Sequence, residues 1–244
     1  AAFWLGWAFG LGHFAAGLYW IGLAFLVDAA KHAWMMPFAV LGLAAGLAIF
    51  KGLMLAGLRA LPLWRPAAGL WARVLALAAL WTLAEWVRGQ ILTGFPWNLA
   101  ATAWGFDPVP QQVAAVVGAW GLSFLTVLAA GLLAMLGWAR RSRDAIAGGS
   151  MAVLIVAAVV GFGMLRLNAA PAVGADIYPD VRLRLVQPGI PQPLKWRSDL
   201  RLEHVRKHLR LTEQAGLSGR THVIWPETAV PYFLSRQPAL RERL

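Results

Sequence analysis

Thr221-His222-Val223-Ile224-Trp225-Pro226-Glu227-Thr228 is the stretch on which the reading of this 244-residue chain turns. A short β-branched run stops at a proline, and the next residue is a lone carboxylate. Pro226 has no amide hydrogen to offer a ladder, so it ends the strand and pins the turn that presents Glu227. A carboxylate held at a strand's end is well placed to act as a general base. Upstream, Val181-Arg182-Leu183-Arg184-Leu185-Val186-Gln187 alternates like a strand. Pro188, Pro191 and Pro193 then mark an ordered loop. Ser198 is placed to cap a helix running to about Gln214, with Leu202, Val205 and Leu209 on its apolar face, and Gly216 and Gly219 stop it. Strand, helix, strand is a βαβ unit, which implies parallel pairing and an α/β domain. Two strands do not make a stable sheet alone, so the domain is expected to continue beyond Leu244.

What precedes that unit is almost entirely apolar. The chain is 59% hydrophobic and 14% charged, with a mean hydropathy of +0.61, which excludes a soluble domain of this size. Crossing the hydrocarbon core takes roughly 20 apolar residues. Five segments qualify: 3–27, 34–58, 71–92, 113–138 and 151–167. Backbone in lipid must satisfy its own hydrogen bonds, so these are helices. Glycines within them (Gly6, Gly10, Gly17, Gly42, Gly46) mark places where helices approach closely. Trp4, Trp34, Trp71 and Trp138 near the segment ends fit an interfacial belt. Residues 1–168 therefore form a transmembrane bundle. Residues 169–180, with Pro171, Gly174 and Pro179, read as a linker, and 181–244 as the first part of the α/β domain. The opening Ala1-Ala2-Phe3-Trp4 has no basic region before the apolar run, so no signal peptide is read there and the start is expected to be internal to a longer protein.

The net charge of +11 invites a nucleic-acid partner, but no basic residues alternate with aromatics along a polar face. Topology explains the charge better. Arg59, Arg65 and Arg73 flank the second connection, and Arg140, Arg141 and Arg143 crowd the fourth against Asp144. The other side carries Asp28, Lys31 and Asp107. The positive-inside rule places the arginine clusters in the cytoplasm and everything after the fifth helix, Glu227 included, on the outer side. The absence of cysteine excludes disulfides, thiolate metal sites and a cysteine nucleophile within these residues.

Few polar residues lie inside the spans. Glu85 and Arg88 stand at i and i+3 and share a face, which must point into the bundle because charge facing lipid is costly. Two readings stay open for them: an ion pair locking helices, or a wall of an acyl or headgroup site. Lys51 snorkels or faces the bundle and carries no assigned role. The connection 93–98 is stiffened by Pro96 and either packs or walls an entrance. His204 and His208 share a helix face at i, i+4, but no third ligand accompanies them. No metal site is expected, and the pair reads as an exposed helix face. Gln187 reads as structural.

Three blocks carry a resemblance: Leu80-Trp81-Thr82-Leu83-Ala84-Glu85-Trp86-Val87-Arg88-Gly89 with Leu92-Thr93-Gly94-Phe95-Pro96-Trp97, then Pro188-Gly189-Ile190-Pro191-Gln192-Pro193-Leu194-Lys195-Trp196, then Ile224-Trp225-Pro226-Glu227-Thr228-Ala229-Val230-Pro231. In this order they resemble the bacterial apolipoprotein N-acyltransferase family, and the similarity runs from Gly6-Trp7-Ala8-Phe9-Gly10 to Glu227. The unit ending in Trp-Pro-Glu is similar to the opening of the nitrilase superfamily. The resemblance implies a multi-helix transmembrane bundle followed by a nitrilase-like αββα sandwich, of which this chain lacks both ends. It implies an acyltransferase of the bacterial inner membrane whose catalytic domain faces the periplasm. A cysteine thiolate takes an acyl chain from a phospholipid and passes it to the α-amino group of a diacylglyceryl-cysteine on an apolipoprotein. No cofactor is implied. Glu227 takes the base role of a Glu-Lys-Cys triad, whose lysine and cysteine lie outside this chain, so the chain alone is expected to be inactive. Trp196 matches a tryptophan the family needs near its lipid-binding groove, although a core aromatic anchoring the proline-rich loop is an equal reading. The rivals are a membrane-tethered nitrilase-type amidase and a non-catalytic membrane-anchored binding protein or remnant.

Overall fold

A computed structural model describes residues 1–64, 69–138, 142–172 and 178–230. The chain divides into two compact units, Ala1–Ala170 and Pro171–Leu244.

The first unit is helical, and among the described residues five helices are long and apolar enough to cross a membrane. α1 (Ala2–Leu18) continues as a 3-10 helix over Tyr19–Leu26. α2 (Met36–Ala60) follows two short helical turns, Ala29–His32 and Ala33–Met35. α3 spans Leu70–Gln90, α4 Ala114–Trp138 and α5 Arg143–Asn168. The last begins eight residues before the expected 151. Ser142 accepts a hydrogen bond from the Ala145 amide (3.1 Å) and Asp144 occupies the first turn. An N-cap and an acidic first turn let the helix extend past the apolar stretch. Arg143 and Asp144 therefore belong to the helix, while Arg65, Arg140 and Arg141 lie outside the described residues.

Lipid tails are as apolar as leucine, so helices associate by close packing rather than by escape from water. Glycine supplies that closeness at particular positions. A Cβ on Gly6 would collide with the Lys51 carbonyl, and one on Gly10 would lie 2.9 Å from the Ala48 Cα, so α1 and α2 touch backbone to backbone. From the α2 side Gly52 receives the Phe3 ring. Gly148 and Gly149 of α5 similarly admit Met135 and Leu136 of α4. Gly42 and Gly46 differ from expectation: each faces open space, so neither marks a helix contact within this unit. Gly10→Ile should accordingly cost about 1–3 kcal/mol by overpacking. Gly46→Ile, with nothing to displace, should be near neutral in unfolding of the full-length protein.

Buried apolar clusters form where helices meet: Phe14, Leu18, Ala44 and Leu47 between α1 and α2, and Ala129, Leu132, Met135, Ala145 and Ala152 between α4 and α5. Large apolar side chains such as Trp4, Phe38, Leu133 and Leu154 point outward, as suits a surface solvated by lipid.

In the second unit, β1 (Leu183–Leu185) and β2 (His222–Ile224) pair in parallel, with Arg184 opposite Val223. Between them runs α6 (Arg201–Thr212). Its first residue is preceded by Leu200, which makes no side-chain cap, so Ser198 is not the N-cap expected of it. The Arg184 guanidinium donates to the carbonyls of Thr212 (2.7 Å), Gln214 (2.7 Å) and Ala215 (2.9 Å). The Thr212 carbonyl is an orphan acceptor of the helix C-terminus, where a cation is favoured, and Gln214 and Ala215 belong to the turn that follows it. One strand side chain thus fixes where the crossover helix ends.

Candidate functional site

The second unit gathers its polar groups at the carboxyl ends of the two parallel strands, the general location of sites in parallel α/β sheets. The β2 end is anchored first. The Trp225 indole donates to Thr212 Oγ1 (2.9 Å), and its ring lies 5.0 Å from that of His208. Thr212 Oγ1 in turn donates to the His208 carbonyl (2.9 Å). With Trp225 fastened to α6, Pro226 starts a turn closed by the Ala229 amide donating to the Pro226 carbonyl (3.2 Å). Glu227 stands in that turn with its side chain exposed. Its carbonyl accepts from Lys195 Nζ (3.2 Å) and from Thr228 Oγ1 (2.7 Å). Thr228 itself sits at φ 55°, a left-handed conformation uncommon for a non-glycine residue.

A pocket of about 130 Å³ opens here, lined by Lys195, His204, His208 and Glu227 together with the 187–190 loop. His204 and His208 are therefore not an exposed helix face. They are 8% and 1% exposed, because α6 turns them toward Trp225 and the pocket while Leu202 points outward. His208 Nδ1 donates to the His204 carbonyl (2.7 Å), which leaves its Nε2 bare. Among the described residues no group of three or more metal-ligating side chains is present. Trp196, half exposed, is not among the pocket's lining residues. Its neighbour Lys195, to which the sequence reading gave no role, is. The signal was available: Lys195 ends a short helical turn, Gln192–Lys195, in the connection following β1, and such connections supply site residues.

In the first unit Glu85 and Arg88 both lie in the bundle interior, at 1% and 2% exposure. An ion pair between them, one of the two readings, is not what the side chains make. Glu85 Oε1 accepts from the Trp81 indole (2.7 Å) and the Ala100 amide (2.9 Å), and it faces Lys51 Nζ at 3.9 Å. Of the two readings for Lys51, the structure has it facing the bundle: it is 1% exposed and sits 3.2 Å above the Trp81 ring. Arg88 Nη1 donates to the carbonyls of Phe95 (2.7 Å) and Trp97 (2.6 Å), and its guanidinium lies over the Phe14 ring.

These bonds hold the 91–100 connection in an unusual shape. Leu92, Thr93 and Asn98 adopt φ of 52°, 74° and 58°, and Gly94 one of 82°. A side chain on Gly94 would also strike the Gly89 carbonyl, so glycine is required there on both counts. Asn98 donates to His13 Nε2 (3.2 Å) and fits against Gly17, where any Cβ would collide with its amide. The cluster of Lys51, Trp81, Glu85 and Arg88 thus ties α2 and α3 to this connection.

Residues 1–132 match the family described as apolipoprotein N-acyltransferase N-terminal domain. Relatives similar over nearly the whole chain are the apolipoprotein N-acyltransferases of Rhodopseudomonas palustris (41% identical, 97% of this chain and 44% of that protein) and Caulobacter vibrioides (42%, 95% and 42%). That of Brucella suis is 42% identical, covering 96% of this chain and 43% of the relative. The chain spans less than half the length of each. A match across more than half of its residues, all within the helical unit, places this chain in the apolipoprotein N-acyltransferase N-terminal domain family.

Proposed function

We propose that this chain is the membrane bundle and the opening of the catalytic domain of an apolipoprotein N-acyltransferase. The observation that carries the reading is Glu227 presented after Trp225-Pro226 at the carboxyl end of a parallel strand, in a chain whose preceding helices are built to cross a membrane. The family match and the names of the relatives support it.

In this reading 181–244 begins a nitrilase-like αββα domain, and residues outside this chain supply a lysine and the cysteine nucleophile. Glu227 takes the proton of the thiol as it attacks the ester carbonyl of a membrane phospholipid. The thioester forms as the lysophospholipid alkoxide leaves with a proton. The α-amine of a diacylglyceryl-cysteine then attacks the thioester and the thiolate departs, while Glu227 accepts the amine's proton. Trp196, exposed beside Lys195, is available to contact an acyl chain. Glu85 and Arg88 act at one remove, by shaping the 91–100 connection. The site needs no cofactor. In an inner-membrane setting, the arginine clusters favour the orientation that leaves Glu227 on the periplasmic side.

The test uses the full-length protein with an acyl-labelled phospholipid. A hydroxylamine-sensitive label on the protein, chased into an amide on a diacylglyceryl peptide, is the expected result. Release of free fatty acid with no amide product would mean the amidase instead, and no acyl-enzyme at all would remove the catalytic reading. Topology is tested separately: Ser142→Cys should resist a membrane-impermeant thiol reagent in cells with a permeabilised outer membrane. Asp180→Cys should react. The reverse pattern would overturn the orientation.

A further inference from the structure

Between α4 and α5 lies a groove of about 250 Å³ lined only by apolar side chains: Val113, Val116 and Val117 at one end, Leu125, Ile155, Ala158 and Val159 along it, and Phe162. The segment 114–117 is set off from the rest of α4 by Gly118, at φ 70° and ψ 174°, so the groove starts beside a break in the helix. One turn beyond Phe162 on the same face of α5 stands Arg166. Its Nε donates to Gln112 Oε1 (3.3 Å), and Gln112 immediately precedes Val113. An exposed guanidinium and an amide thus bridge the two walls at one mouth of the groove.

We propose that this groove binds one membrane glycerophospholipid, with an acyl chain along Val116, Leu125, Ile155 and Phe162 and the phosphate at Arg166. Three observations favour that occupant. The groove belongs to helices long and apolar enough to lie in the bilayer, so a vacant groove there would forfeit dispersion contacts that lipid tails supply. An extended acyl chain is narrow enough to lie along the groove. The charge at the mouth then separates a site from ordinary solvation by tails, because a guanidinium bonds a phosphate through two parallel N–H groups. The inference is independent of acyl transfer, and its test reads binding alone.

The full-length protein is reconstituted in phosphatidylethanolamine–phosphatidylglycerol vesicles containing trace phospholipids that carry a diazirine at positions stepped along one acyl chain. After irradiation, the cross-linked positions are mapped by mass spectrometry. Cross-links concentrated at Val116, Val117, Leu125 and Phe162, above those at the lipid-facing Leu133 and Leu154, are expected. Ala158→Phe, which fills the groove, should abolish the excess. Arg166→Gln, an exposed change that leaves folding alone, should lower it about tenfold, the equivalent of one charge-assisted hydrogen bond. Equal labelling of groove and outer faces, or an excess that survives both substitutions, would overturn the proposal. So would a Val116→Cys protein that forms a disulfide with a cysteine introduced in another span of the same protein, because protein would then cover the groove.

Discussion

Glu227→Gln in the full-length protein is expected to yield a folded, membrane-inserted protein that accumulates no acyl-enzyme. The substitution keeps the shape of an exposed side chain whose carboxylate forms no salt bridge among the described residues. The contacts that build the turn are to the Glu227 carbonyl, which the change leaves untouched. Folding should therefore be preserved within about 0.5 kcal/mol, as for surface changes away from special features. What disappears is the proton acceptor, and general-base catalysis of this kind contributes roughly 10²–10⁴-fold. Single-turnover labelling by an acyl-labelled phospholipid, with thermal unfolding in parallel, separates the two effects. Wild-type rates of acyl-enzyme formation in Glu227→Gln would end the base assignment. Loss of labelling with loss of the folded state would transfer the residue to a structural role.

Glu85→Ala should have the largest effect on stability in the bundle. Its Oε1 serves the Trp81 indole, the Ala100 amide and Lys51 at once. Removing the carboxylate leaves Lys51 and Arg88, both all but fully buried, without a compensating anion. Breaking a buried ionic arrangement from one side costs about 3–5 kcal/mol, much of it the uncompensated charge left behind. Glu85→Gln keeps an acceptor oxygen and should lose less. Lys51→Met in the Glu85→Gln background should recover part of the loss, since it removes the stranded charge. A double-mutant cycle on the full-length protein, read by unfolding in detergent, measures that coupling. Additive losses would mean that Lys51 and Glu85 do not interact, and the cluster would then be adjacent polar groups without common purpose.

The five spans were legible because apolar runs of the required length have few alternatives in a chain of this composition. The βαβ unit was legible for a similar reason: alternation, a helical period and a proline stop each constrain a few residues. What escaped were matters settled by distant partners. The pattern of Leu202, Val205 and Leu209 pointed to one face of α6, yet the buried residues are His204, Val205 and His208. That rotation is set by Trp225, which lies beyond the end of the helix and could not be weighed from the helix alone. Lys51 received no role because its partners, Trp81 and Glu85, stand thirty and thirty-four residues away. Glu85 and Arg88 do share a face, but adjacency on one helix did not make them partners. Arg88 found unpaired carbonyls in a connection where three of the four left-handed residues, Leu92, Thr93 and Asn98, are not glycines, so Gly94 alone announced only part of its shape.

The 91–100 connection also bears on how the bundle is made. A helix carrying Glu85 and Arg88 is a poor candidate for spontaneous entry into a bilayer, where each buried charge costs about 2.5–3.5 kcal/mol on insertion scales. Yet Arg88 Nη1 is met by carbonyls only seven and nine residues later, and Glu85 Oε1 by an amide fifteen residues later. As synthesis passes Ala100, α3 has the means to shelter its own charges before α4 exists. Lys51, made earlier, has no such local remedy and waits for α3 to bring Trp81 and Glu85. The order of residues along the chain thus writes an order of assembly, in which the third span is the one that completes the second.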